Sequence, residues 1–196
     1  VKSIEEHKLA VARERRFEDL AQAVLAPLRR YLVRRTDAGS VDDILAETML
    51  VLWRRLDDIP GFESGSGQTH ADVLPWCYGV ARGCLANARR ADGRRLRLVE
   101  RLSRTASSND QWHPPGHEHA ELYAALRTLK AVDREVVLLW AWEGLTAREI
   151  ADATESTPNA VSIRLHRAKK KLAALLERQN GALAAHKTDE GQGRSD

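Results

Sequence analysis

Apolar residues in this chain recur at three- and four-residue intervals almost from end to end. No segment alternates with the period of two that a half-buried strand needs. Phe17, Leu20, Ala21, Val24, Leu25 and Leu28 form one such stripe. Ile44, Leu45, Thr48, Leu52 and Leu56 form a second, and Trp76, Cys77, Val80, Ala81, Cys84 and Ala88 a third. The spacing returns with Leu122, Ala125, Leu126 and Leu129, then Val136, Val137, Leu139 and Trp140. A chain patterned in this way is expected to be all-α. With aromatics at 5%, its core has to be made mainly of Leu, Val and Ala.

Punctuation residues set the expected limits of the helices. Pro27 predicts a kink or break in the first. Ser40 is a candidate N-cap for the second, with Asp42 and Asp43 at its positive end, and that helix is expected to reach about Asp57. Pro60-Gly61 stops it, and residues 61–75, rich in Gly and Ser, read as loop. The third helix is expected from Trp76 to about Ala91, where Asp92-Gly93 ends it. Residues 103–118, with Ser107-Ser108-Asn109-Asp110 and Pro114-Pro115-Gly116, read as a flexible linker. The expected division is a helical extension over 1–16, a helical domain over 17–102, the linker, a second helical domain over 119–178, and a polar, frayed tail over 179–196.

Several functions are disfavoured by composition. The longest apolar run, Val136 to Trp142, is far shorter than the roughly 20 residues of a membrane span. No basic stretch followed by an apolar one opens the sequence, so a cytoplasmic protein without membrane attachment is expected. Two cysteines, Cys77 and Cys84, seven apart among apolar neighbours, read as small buried hydrophobes. His113, His117 and His119 have spacing that permits metal ligation, but they fall in a Pro-Gly linker with no fixed second shell, so no metal is expected. No nucleophile–base pair or phosphate-cradling Gly motif occurs, so no catalytic residue, no cofactor and no enzymatic activity are expected.

The most specific local signal runs from Trp142 to Leu172. Thr146-Ala147-Arg148-Glu149 is a capping box. A short helix with Ile150, Ala151 and Ala153 follows, then a turn at Thr154-Glu155-Ser156. Thr157-Pro158 then supplies an N-cap and a proline at the first helical position. The last helix places Val161, Leu165, Ala168 and Leu172 on one narrow face. Asn159, Ile163, His166, Arg167 and Lys170 lie opposite, flanked by Ser162, Arg164 and Lys169, with no acidic residue from Pro158 to Leu176. Short helix, tight turn and basic helix make a helix-turn-helix of the kind that enters the DNA major groove. Asn159, Ile163, His166 and Arg167 are then candidates for base edges, and Arg164, Lys169 and Lys170 for phosphates.

From about Phe17 to Leu176 the sequence resembles the extracytoplasmic function (ECF) sigma factors of the bacterial sigma-70 family. The C-terminal resemblance lies in Ala125-Leu126, Asp133 to Leu139, Glu143-Gly144-Leu145-Thr146, Glu149-Ile150-Ala151, Ala160-Val161 and Arg164-Leu165-His166-Arg167-Ala168. These are similar to promoter-binding region four. Asp43 to Met49 with Trp53, then Trp76 to Arg82 and Arg94-Arg95, are similar to region two.

The resemblance implies a sigma factor that binds core RNA polymerase and directs initiation at −10 and −35 promoter elements. Its implied partners are the β′ clamp helices and β flap of the polymerase, promoter DNA and an anti-sigma factor. Polymerase contact falls to Asp43, Glu47, Leu50, Trp53 and Arg54. The −10 element falls to Phe62, Arg82, Asn87, Arg89, Arg90, Arg94 and Arg95. The −35 element falls to Thr157, Asn159, Ser162, Ile163, Arg164, His166, Arg167 and Lys170. The chain departs from the family pattern at Ala46, where Gln is usual. It departs again at Glu155, where Gly is common, and at Ser156, where a bulky apolar residue is common. Ser162-Ile163 replaces the commoner basic-then-serine pair. Glu155 therefore has to adopt positive φ, or the turn has to differ. The competing reading is a stand-alone helix-turn-helix regulator with an N-terminal sensor domain. It leaves the acidic Asp42–Trp53 helix and the basic Trp76–Arg95 helix unexplained.

Overall fold

The computed structural model describes residues 2–60, 62, 70–102 and 120–190. All regular structure among them is helical: α1 Lys2–Val33, α2 Ala38–Arg54, a single 3-10 turn Leu56–Asp58, α3 His70–Leu102, α4 Ala120–Arg127, α5 Ala131–Ala141, α6 Ala147–Thr154 and α7 Pro158–Glu190. The linker over 103–118, with His113 and His117, and also His119, lies outside the described residues. The chain forms two compact units, the first built on α1, α2 and α3 and the second on α4, α5 and α7 with the start of α6.

In the first unit each long helix packs on the other two. Leu20, Val24, Leu28, Tyr31 and Leu32 of α1 are sealed against Val41, Ile44, Leu45 and Leu52 of α2 and against Val73, Cys77, Ala81 and Leu85 of α3. The Tyr31 and Tyr78 rings meet at 5.3 Å. Leu25, expected inside, is exposed, since the α1 stripe is narrower than its apolar spacing implies. Pro27 does not break α1, which is continuous from Lys2. Its one missing backbone hydrogen bond is outweighed by the five sealed side chains around it. Nor does any break set residues 2–16 apart from the rest of α1. Arg13 and Arg16 tie α1 to the 3-10 turn after α2, donating to Asp57 at 2.8 and 2.9 Å. Arg13 also donates to the Trp53 carbonyl and Arg16 to the Leu56 carbonyl.

The limits of α2 differ from those expected. Asp37, not Ser40, is the N-cap: its carboxylate accepts from the Ser40 N–H at 3.1 Å and from the Ser40 hydroxyl at 2.8 Å. The backbone of Asp37 is extended (φ −67°, ψ 156°), as an N-cap requires. Asp42 and Asp43 consequently fall beyond the first turn, and Asp37 takes over the interaction with the helix dipole. The Ser40 hydroxyl is the main cause holding the Asp37 carboxyl below the usual carboxylate range. At its other end α2 stops at Arg54 rather than Asp57, and the chain tightens into the 3-10 turn.

The third helix is longer than its punctuation predicts. It starts at His70 with Pro75 inside it and continues through Gly93 to Leu102. One Gly costs a helix only about 1 kcal/mol relative to Ala, which the surrounding helix formers offset. Cys77 and Cys84 are buried as expected, and burial pushes the Cys77 thiol up to about 12, which keeps it protonated and unreactive.

The second unit closes around Tyr123, Leu126 and Leu129 of α4 and its following turn, Val136 to Leu139 of α5, Ile150 of α6, and Val161, Ala168 and Leu172 of α7. Leu122 and Trp140, whose spacing suggested core positions, are exposed. Gly144 at φ 71° reverses the chain after α5 and lets the Leu145 N–H reach the Leu139 carbonyl. Of the tail expected over 179–196, residues 179–190 continue α7 as helix, and 191–196 lie outside the described residues. Ala182, Leu183, Ala184 and Ala185 favour helix, and after Pro158 no proline interrupts it.

Candidate nucleic-acid interface

The helix-turn-helix is assembled from short-range hydrogen bonds. At the start of α6 the Thr146 N–H donates to Glu149 Oε2 at 2.7 Å, and the Glu149 N–H donates back to Thr146 Oγ1 at 3.3 Å. This is the reciprocal capping box read from the sequence. At its end Glu155 adopts φ 51°, and the Ser156 N–H donates to the Ala151 carbonyl at 2.9 Å. That bond with a left-handed residue before it is a Schellman turn, built on Glu where Gly is the easy choice. Of the two outcomes open to Glu155, positive φ is the one adopted. Thr157 then caps α7, its hydroxyl accepting from the Ala160 N–H at 3.2 Å, with Pro158 in the first turn.

Val161, Ala168 and Leu172 anchor α7, so its opposite face points to solvent. Asn159, Ile163, His166, Arg167 and Lys170 are all exposed on it. Among the described residues no hydrogen bond or ion pair occupies Asn159, His166, Arg167 or Lys170. The flanks differ. Arg164 pairs with Asp133 of α5 at 3.8 Å, and Lys169 stands over the Trp140 ring at 4.1 Å. Lys171 donates to the Thr128 carbonyl at 2.8 Å, and the Ser162 hydroxyl to the Pro158 carbonyl at 2.9 Å. These flanking groups fasten α7 to its own unit, so Lys170 is the cation of the three phosphate candidates left uncommitted.

The first unit carries two further candidate surfaces. On α2, Asp43, Glu47, Leu50 and Arg54 are exposed. At about 100° per residue they fall within one narrow strip. Leu50 is 47% exposed, an apolar centre among charges. Trp53 is not part of that strip. It is half-buried against α1, edge-on to Phe17 at 5.1 Å with the Arg13 guanidinium 5.2 Å from its ring. On α3, Asn87, Arg90 and Arg94 share one exposed strip, with Arg90 donating to the Asn87 side chain. Arg82 and Arg89 lie along a different line, and Arg95 on a third. Arg89 donates to the Arg35 carbonyl at 2.7 Å, so part of its role is to hold α3 to α1.

Phe62 is half-buried, its carbonyl accepting two bonds from Arg16, at 3.1 and 2.7 Å, with that guanidinium 5.7 Å from its ring. Arg13 and Arg16 are the positioning residues that the sequence reading missed. Their signal was two arginines, four and one positions before Phe17, on a helix that otherwise looked like an extension. The rest of the loop between Gly61 and Thr69 lies outside the described residues. Among the described residues no three His, Cys, Asp or Glu side chains gather as a metal site, and no helix is long and apolar enough to cross a membrane.

Residues 119–172 match the family model for sigma-70, region 4. The RNA polymerase sigma factor NccH of Alcaligenes xylosoxydans xylosoxydans is 29% identical over 153 residues, covering 71% of this chain and 74% of that protein. The sigma factor RpoE of Bartonella quintana, solved with the anti-sigma factor NepR, superposes with a TM-score of 0.60 at 21% identity, over 82% of this chain and 96% of that one. CnrH, solved with the cytosolic domain of CnrY, gives 0.52 at 24% identity, over 84% and 90%. The region four match therefore lies over the capped helix-turn-helix, and the fold of these solved sigma factors is shared along most of the chain.

Proposed function

We propose that this chain is a sigma factor of the extracytoplasmic function group, in the sigma-70 family, and that it works in the cytoplasm without catalytic chemistry of its own. It joins core RNA polymerase through the α2 strip Asp43, Glu47, Leu50 and Arg54, and reads the −35 element with the outward face of α7. The α3 strip Asn87, Arg90 and Arg94 takes the −10 region, with Phe62 at the start of the preceding loop. Residues 17–102 and 119–178 then act as the two promoter-binding bodies and 103–118 as the connection between them. The observation that carries this reading is the face of α7: four polar or cationic side chains around one isoleucine, no carboxylate, and a core stripe that fixes the face outward. Basic helices so mounted neutralise phosphates with their flanks and present polar groups to base edges. An anti-sigma factor is a further proposed partner, since RpoE and CnrH are each held by another protein, in the case of RpoE the anti-sigma factor NepR.

The deciding experiment compares sequence-selective promoter binding by the full chain with and without core RNA polymerase. Selection that appears only with the polymerase is expected. Equal selection by the chain alone overturns the polymerase requirement and favours a stand-alone regulator.

A further inference from the structure

Ile163 is out of place on its helix. It sits in the second turn of α7, opposite the Val161–Ala168–Leu172 stripe, and is 43% exposed. One turn before it is Asn159, and after it come His166, Arg167 and Lys170, all exposed and all polar or charged. An isoleucine there lies outside the buried core of its unit. It also has a lower helix propensity than the Lys, Arg or Gln that a solvated face normally carries. The position is one that a helix-turn-helix brings to base edges, near the N-terminal end of the groove-entering helix.

The major groove offers an aliphatic side chain one matching apolar feature, the C5-methyl group of thymine. The other exposed edges are hydrogen-bond donors and acceptors, which Ile163 would desolvate without replacing. A β-branched side chain in a helix also has one strongly preferred χ1 rotamer, so its methyl groups are held in place before DNA arrives. The polar neighbours supply the complement: Asn159 and Arg167 can read hydrogen-bonding edges on either side of an apolar contact. We infer that Ile163 is a specificity-determining residue that selects thymine at one position of the −35 element through its methyl group. This rests on the proposal that α7 reads that element.

The test uses the full chain bound to core RNA polymerase. A −35 sequence is first selected from a randomised duplex library, and each thymine in it is then replaced in turn by deoxyuridine, which removes only the methyl group. The expected result is one position, on either strand, at which the replacement weakens binding by about fourfold, the transfer value of one methyl-sized group. Ile163→Ala should bind thymine and deoxyuridine duplexes equally at that position, while Ile163→Val, which keeps the β-branch, should retain part of the discrimination. Because Ile163 is exposed, both variants are expected to keep the wild-type circular dichroism. Selection of a defined sequence with no methyl-sensitive position overturns the inference and leaves the reading of α7 standing. So does a methyl sensitivity that Ile163→Ala preserves. A library from which no preferred −35 sequence emerges overturns that reading as well.

Discussion

The outward faces of α2 and α7 are built by the same device and carry opposite chemistry. Each helix starts on a side-chain cap, Asp37 for one and Thr157 for the other, and each buries one narrow apolar stripe. On α2 the opposite strip is Asp43, Glu47, Leu50 and Arg54, where an exposed leucine sits among mixed charges. On α7 it is polar and cationic around Ile163. Mixed charge with an apolar centre suits a protein surface, whose affinity is concentrated in a few desolvated contacts. A face without carboxylates suits a polyanion, whose affinity is spread over many equivalent phosphates. The comparison separates two kinds of partner by how their binding energy is distributed, and substitutions on the two faces should therefore fail in different ways.

The largest effect is expected on α2. Glu47→Arg reverses a charge at the middle of the strip without touching the core, and should weaken binding to core polymerase by about 30-fold, the scale of one hot-spot residue. Helicity by circular dichroism should not change. Undiminished co-purification with the polymerase removes α2 as the anchor and breaks the comparison at its root. Trp53 sharpens it from the other side. Since its ring is packed on Phe17 and Arg13, Trp53→Ala should lower the unfolding free energy, whereas Glu47→Arg should lower binding alone.

The two caps give a smaller and cleaner contrast. Removing either, by Asp37→Ala or Thr157→Ala, should cost about 1 kcal/mol in urea unfolding at pH 7. Only the penalty at Asp37 should depend on pH. The Ser40 bonds hold the Asp37 carboxyl below its ordinary range. Its contribution is therefore complete above the unfolded-state value, about 3.9, and is lost as pH falls through the lower folded-state value. The penalty of Asp37→Ala should shrink on acidification below that range, while the penalty of Thr157→Ala, a hydroxyl cap, should persist. Equal pH dependence of the two penalties would mean that Asp37 does not cap α2 as a carboxylate.

How much of this could be read beforehand followed from the range of the interactions. The capping box at Thr146–Glu149, the Thr157 cap and the Glu155 turn involve residues within five positions of one another, and each formed as the residue types dictate. The start of α2 was misplaced because Asp37 and Ser40 are both competent caps, and the extended backbone at Asp37 decides between them. Pro75 and Gly93 read as stops because sequence punctuation counts local costs alone, while α3 remains helical through both. Least legible were the partners of the cations. Nothing near Arg89, Arg164 or Lys169 in sequence says that they are committed to Arg35, Asp133 and Trp140, yet those contacts decide which basic residues remain for DNA.

That commitment leads to the finest distinction on α7, between Lys170 and its neighbours. Arg167 and Lys170 are both exposed and uncommitted on the groove side, but Arg167 has the planar fork that a guanine edge accepts and lies nearer the N-terminus. Arg167→Ala should therefore cost about 1–3 kcal/mol and relax preference at one or two base pairs. Lys170→Ala should weaken binding to all duplexes alike and reduce the slope of log affinity against log salt by about one, the release of one counterion. Lys169→Ala should change that slope less, because the Lys169 ammonium is shared with the Trp140 ring. The measurement is binding of the polymerase-bound variants to selected and scrambled duplexes at several salt concentrations. A uniform loss for Arg167→Ala would reassign it to a phosphate and turn the reading face toward Asn159 and Ile163. An unchanged slope for Lys170→Ala would mean that α7 lies farther from the backbone at its second half than its uncommitted charge implies.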